Sequence, residues 1–184
     1  MNWWEKTVEY MFVLNYFNYD AIIAPMDGVH ERIGDALYSK ENLFSLIEFK
    51  RYEADISREV DKYLNYAEAR NALQERDSHH FFIYGKLENG LQLESKTYFS
   101  HKKYPDVSNA LLSGINMDIF KDYVETLLKY KIPPKGGGGT SLDDYMQVAC
   151  VRNDGQLICC VPLNNYLDMF EIERPIEKSA NATA

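Results

Sequence analysis

The chain has 184 residues, 46% of them hydrophobic and 14% aromatic, which is enough for one domain with a sizeable core. Its 28 acidic residues outnumber 20 basic ones, for a net charge of −8. That balance excludes a protein whose whole surface grips nucleic-acid phosphates, and leaves local contacts or a site that works through a bound cation.

In chain order, Trp4, Val8, Met11, Phe12 and Asn15 recur at helical spacing, which predicts an amphipathic helix from residue 2 to about 17. Glu5 and Glu9 lie one turn apart on it. Tyr19 to Ala24 reads as a short strand stopped by Pro25, and Met26-Asp27-Gly28 as a turn. Ile33 to Tyr38 and Leu43 to Lys50 read as two strands of a hairpin. Side chains alternate along a strand, so Glu48 and Lys50 share one face with Leu46, while Ile47 and Phe49 take the other. A strand apolar on both faces, with two charges near its C-terminal end, reads as a site at a strand end.

The period then changes. Ile56, Val60, Tyr63, Leu64 and Ala67 predict one helix from about Asp55 to about Arg76, with Asp55 as its N-cap. His80 to Leu87 and Leu91 to Phe99 predict strands around an Asn89-Gly90 turn. Residues 107 to 131 hold a second long helical pattern, capped in its main part by Asn116 and stopped by Pro133-Pro134. Met146 to Val151 and Gln156 to Val161 flank Asn153-Asp154-Gly155 as a further hairpin. The expected organisation is a single domain over residues 1–178, with a core over about 1–100, additions over about 101–178, and a disordered tail at 179–184.

This order of elements and the set Asp35, Glu48-Phe49-Lys50 resemble the PD-(D/E)xK nuclease superfamily over roughly residues 5 to 87. The position before Asp35, where the family usually has proline, holds Gly34. The resemblance implies an α/β fold, a restriction-endonuclease-like αβββαβ core with a mixed sheet flanked by helices, and here a C-terminal α+β extension. It implies a hydrolase cleaving phosphodiester bonds, with DNA favoured over RNA, and Mg²⁺ or Mn²⁺ as cofactor. Asp35 and Glu48 would hold the metal, Lys50 would assist attack, and Glu9, with Glu5 second, would supply the acid many members carry on the first helix. Arg51, Arg58 and Lys62 are the candidates for holding a phosphate backbone. Two carboxylates converging on one face repel each other unless a cation lies between them, so the chemistry of the set does not depend on the name.

His79-His80 would point to opposite faces of a strand and so would not ligate one metal together. Lys135 to Ser141, rich in glycine, lacks the Gly-Lys-Ser/Thr ending of a phosphate loop and reads as a connector or lid. Lys102-Lys103-Tyr104 is a small basic-aromatic patch of the kind that touches nucleic acid. Cys150, Cys159 and Cys160, odd in number and without CxxC spacing, predict free thiols rather than disulfides or a zinc site. No secretory signal and no apolar run of the roughly 20 residues a span needs is visible, which predicts a cytoplasmic protein without membrane contact. The rival reading is a catalytically silent member of the same fold. There the acidic surface, with its fourteen tyrosines, would hold a protein partner, as an inhibitor encoded by a phage or mobile element would. The sequence leaves the oligomeric state open, a homodimer included.

Overall fold

The computed structural model describes residues 2–16, 21–26, 32–133, 147–151 and 157–162. Helix α1 (Glu5–Tyr16) buries Val8 and Phe12, one turn apart. A five-stranded mixed sheet follows, in the spatial order β1 (Ala21–Pro25), β2 (Ala36–Lys40), β3 (Leu43–Tyr52), β4 (His80–Leu87), β5 (Leu91–Thr97). The first three strands form an antiparallel meander, β4 runs parallel to β3, and β5 returns antiparallel to β4. The β2–β3 turn is made by Glu41 and Asn42, with φ of 53° and 60°. Two consecutive left-handed residues give the twist a tight hairpin requires. Asn89 and Gly90, at φ 50° and 128°, do the same between β4 and β5.

The connection from β3 to β4 is not the single helix that the periodicity predicts. It begins as a 3-10 helix over Glu53–Lys62, passes through Tyr63 in extended conformation, and resumes as α2 (Tyr66–Leu73). Asp55 therefore caps nothing; the cap of α2 is Asn65, whose side chain accepts from the Glu68 amide at 3.3 Å. A 3-10 helix has three residues per turn, so Ile56, Glu59 and Lys62 stack along one side. Ile56 and Glu59 are buried there, while Val60, a core position under an α-helical period, is 46% exposed.

The predicted helix over 107–131 also divides, into α3 (Val107–Leu111) and α4 (Met117–Tyr130). Asn116 caps α4 as expected, accepting from the Ile119 amide at 3.1 Å. The two pieces serve opposite faces of the sheet. Val107 and Ala110 join Trp3, Val8, Phe12, Ile47, Phe49, Phe81 and Ile83 in one apolar layer. Phe120, Tyr123, Val124 and Leu127 join Leu46, Ile56, Leu73, Phe82 and Tyr98 in the other. Strand β3 is thus covered on both faces, which is why it reads as nearly continuous apolar sequence.

Strands β6 (Gln147–Val151) and β7 (Leu157–Pro162) pair antiparallel. The turns expected at 26–28 and 153–155, the glycine-rich stretch 135–141 and the tail 179–184 lie wholly or partly outside the described residues. Among the described residues no helix is long and apolar enough to cross a membrane.

Candidate active site

Asp35 is not a strand residue, as the sequence suggested, but stands one position before β2. It is nonetheless held like one. Its amide donates to the Ile47 carbonyl at 2.9 Å and its carbonyl accepts from the Met26 amide at 2.8 Å. Gly34 permits this close approach, since a Cβ there would lie 3.0 Å from the Ile47 carbonyl oxygen. The Asp35 carboxylate turns along β3 and accepts from the Phe49 amide at 2.6 Å. β2 begins at Ala36, opposite Ile47, so the later amides of β3 lack a β2 partner on that side. The carboxylate takes the place of that partner.

Glu48 and Lys50 share the face covered by the 3-10 helix and α4, and both are buried. The Lys50 ammonium donates to Glu48 Oε1 at 2.7 Å and to its neighbour's carbonyl, Phe49, at 3.0 Å. Two residues of the 3-10 helix complete the group. Glu59 Oε1 meets Lys50 at 3.0 Å and Lys62 at 2.9 Å, and Lys62 also contacts Glu48 Oε1. Glu59 Oε2 accepts from the Tyr98 hydroxyl at 2.7 Å, and that hydroxyl accepts from the buried Lys131 ammonium at 3.1 Å. Lys131 also lies 4.3 Å from the ring centre of Tyr63. The result is a chain of ionic and hydrogen-bonded contacts from the end of α4 to the end of β3.

Among the carboxylates of this group, one oxygen lacks a partner: Glu48 Oε2 is buried and makes no hydrogen bond among the described residues. Burial, then the charges of Asp35 and Glu59, push the Glu48 carboxyl up to about 7, against the pull of Lys62 and Lys50. Burial likewise pushes Asp35 up to about 6, with Lys50 and the Phe49 amide opposing. Glu59 goes the other way: burial would raise it, but Lys62, Lys50, Lys131 and the Tyr98 hydroxyl together hold it down to about 2. Burial lowers Lys131 to about 8, helped by Lys62 and Lys50. One carboxylate is thus firmly ionised and two are poised near neutrality, the kind of divergence that marks functional sites.

Asp35 faces a cleft of about 510 Å³ lined by Glu5, Lys6, Glu9, Pro25, Met26 and Phe49 as well. Of the two acids on α1, Glu9 is occupied by Lys6 at 2.6 Å. Glu5, placed second by the sequence, is the one coupled to the centre. Its carboxyl is raised by burial, opposed by Lys50, raised by Glu48, and lowered by a backbone hydrogen bond from Arg51. Among the described residues, no three side chains of His, Cys, Asp or Glu converge as ligands of one metal ion.

The proposed phosphate-holding residues separate. Lys62 belongs to the buried group. Arg51 lies over the rings of Tyr52 and Trp4, at 4.8 and 5.4 Å, and contacts Asn2. Arg58 is at the surface, 3.6 Å from Asp55. His79 and His80 do not go to opposite sides, because His79 precedes β4; both rings meet Tyr123, at 4.4 and 5.7 Å. Burial holds both well below the ordinary histidine range, so they are neutral core residues. Lys103 of the basic-aromatic patch pairs with Glu94 at 3.4 Å.

Sequence reasoning missed Glu59, Tyr98 and Lys131. Glu59 left a signal, since it lies three residues from Ile56 and three from Lys62, the repeat of a 3-10 helix. Tyr98 and Lys131 left none that is local. No protein-family model matches the chain, and no curated protein or solved structure is significantly similar to it.

Proposed function

We propose that this protein is a Mg²⁺-dependent nuclease of restriction-endonuclease-like architecture. The order α1, three antiparallel strands, a helical crossover and a parallel fourth strand supports that core. The observation that carries the reading is the unpartnered Glu48 Oε2, buried beside Asp35 and next to Lys50. A buried carboxylate oxygen without a donor is costly, and a dication removes that cost. Mg²⁺ needs only one or two protein carboxylates and keeps the rest of its octahedron for water and phosphate. Asp35 and Glu48 meet that demand without a third acid.

When bound, the ion would supply Lewis-acid stabilisation of phosphate and a more acidic water. The chain's own residues do the rest. Glu59 and Glu48 fix the Lys50 ammonium from two sides, so that its charge is oriented before substrate arrives. Glu59 stays ionised and holds Lys62 as well, leaving a cation at the rim that a phosphate oxygen can recruit. Asp35, hydrogen-bonded to β3 and backed by the ladder on both sides, cannot rotate away. The test is cleavage of labelled DNA and RNA with Mg²⁺ or Mn²⁺ by the intact protein and by Lys50→Ala. Absence of cleavage by the former, or indifference to the substitution, rejects the reading.

The second reading is a silent scaffold of the same architecture that binds a protein. What favours it is that Lys50 and Lys62 both already pair with carboxylates, so that their ammonium groups are already engaged. Calorimetry with Mn²⁺ separates the two, since a scaffold gives no heat of binding that Glu48→Gln removes.

A further inference from the structure

Beside the carboxylate cleft lies a second surface of different chemistry. Trp3 is buried and anchored, its indole N–H donating to the Arg51 carbonyl at 3.0 Å and its ring 4.8 Å from Tyr52. Gly85 makes room for it, since a Cβ there would meet the indole nitrogen at 2.6 Å. With Trp3 pinned, the next residue, Trp4, is held outside, 73% exposed. The Arg51 guanidinium lies over both the Trp4 and Tyr52 rings, and Tyr52 reaches Asn2 through its hydroxyl at 3.1 Å.

This aromatic-cationic step is contiguous with the candidate centre through two chain neighbours. Trp4 precedes Glu5 of the cleft, and Arg51 follows Lys50. An exposed indole on an immobile anchor, with an arginine charge held over the same aromatic rings, matches an unpaired base and its phosphate. It does not match a duplex, whose bases are already stacked and whose grip would require a broad basic surface. The net charge of −8 offers no such surface over the chain as a whole.

We propose that Trp4, Arg51 and Tyr52 form a stacking step for single-stranded nucleic acid, which makes unpaired strands the substrate class of the adjoining centre. The proposal rests on the nuclease reading for its catalytic half, but binding is testable without it. The chain contains two tryptophans, and only Trp4 is exposed, so intrinsic fluorescence reports on the step directly. The full chain in EDTA is titrated with a short oligothymidylate, with the same oligonucleotide annealed to its complement, and with inorganic phosphate. Quenching by the single strand is expected, with much weaker response to duplex and none to phosphate. Trp4→Ala is expected to weaken single-strand binding on the order of tenfold, followed by anisotropy of a labelled oligonucleotide, while Trp4→Phe retains most of it. Leu112→Ala, also at an exposed apolar residue, is the control and is expected to bind as the unaltered chain does. Equal affinity for duplex and single strand, or unchanged binding by Trp4→Ala, overturns the proposal. Quenching without cleavage in Mg²⁺ rejects the nuclease reading and leaves the step standing. Duplex cleavage indifferent to Trp4→Ala does the reverse.

Discussion

Glu59, from the 3-10 helix, meets Lys50, from β3, at 3.0 Å, with both side chains buried. Each is shared with a second partner of opposite charge, Lys62 for Glu59 and Glu48 for Lys50. The pairing matters because it fixes an ammonium at the edge of a carboxylate site instead of leaving it to solvent.

Lys50→Ala should therefore act on both stability and cleavage. It leaves Glu48 and Glu59 buried with one fewer cation between them, and removing one partner of a buried ion pair costs about 3–5 kcal/mol. A fall in the urea midpoint, together with loss of Mg²⁺-dependent cleavage, is expected. Lys50→Arg keeps the charge and should recover stability further than it recovers cleavage, because the guanidinium cannot occupy the same point.

Metal affinity should climb with pH. Asp35 and Glu48 both bind protons near neutrality, at about 6 and about 7, and a dication must displace those protons. Mn²⁺ calorimetry between pH 5.5 and 8 should show affinity rising and then levelling above about 7. Asp35→Asn should reduce the slope by one proton. The metal-free fold should behave in the opposite sense. A carboxyl whose pKa is raised on folding contributes stability that is present below its ordinary value and lost as pH rises through the folded one. For Asp35 that window runs from about 3.8 to about 6, so the melting temperature without metal should decline there, less steeply in Asp35→Asn. Added Mg²⁺ should reverse the decline.

Tyr98→Phe removes one hydroxyl that serves two buried charges, donating to Glu59 and accepting from Lys131. The ring's stacking on His80 at 3.9 Å and on Phe82 at 4.6 Å survives the change. A loss of about 1–3 kcal/mol in denaturant titration is expected for the stranded partners. Glu59, held low in the fold, contributes stability that is present above its ordinary value of 4.5 and lost as pH falls toward 2. Losing the Tyr98 donor raises it, so the acid-unfolding midpoint should move to higher pH.

Gly34→Ala tests whether the backbone before Asp35 has to pass this close to β3. The added methyl meets the Ile47 carbonyl oxygen at 3.0 Å and the Met26 side chain at 3.8 Å. Overpacking of this kind costs about 1–3 kcal/mol. Displacement of Asp35 should in addition weaken Mn²⁺ binding, whereas Gly90→Ala, which meets nothing within 4 Å but sits at φ 128°, should strain the turn and leave metal binding unchanged.

Much of the scaffold was legible because its signals are local. Period-two alternation located β3 and put Glu48 and Lys50 on one face, and Asn89-Gly90 and Asn116 marked a turn and a cap. The helix over 55–76 misled because Val60, Tyr63 and Leu64 fit an α-helical stripe, yet Asn65 is a better cap than an interior residue, and the segment before it tightens to three residues per turn. The family resemblance placed Glu9 ahead of Glu5, although Lys6 stands three residues before Glu9 on the same helix, the spacing at which the two side chains pair.

By itself, then, the sequence determined the strands of the main sheet, the turns at 41–42 and 89–90 and which charges travel together along one strand, since those follow from steric periodicity over a few residues. Only the tertiary structure decided that Glu59, Tyr98 and Lys131 would close around Lys50. It also decided that Glu48 would lose its water and keep one oxygen unpaired. Burial and the convergence of charges depend on which distant elements pack against a face, and no local repeat records that.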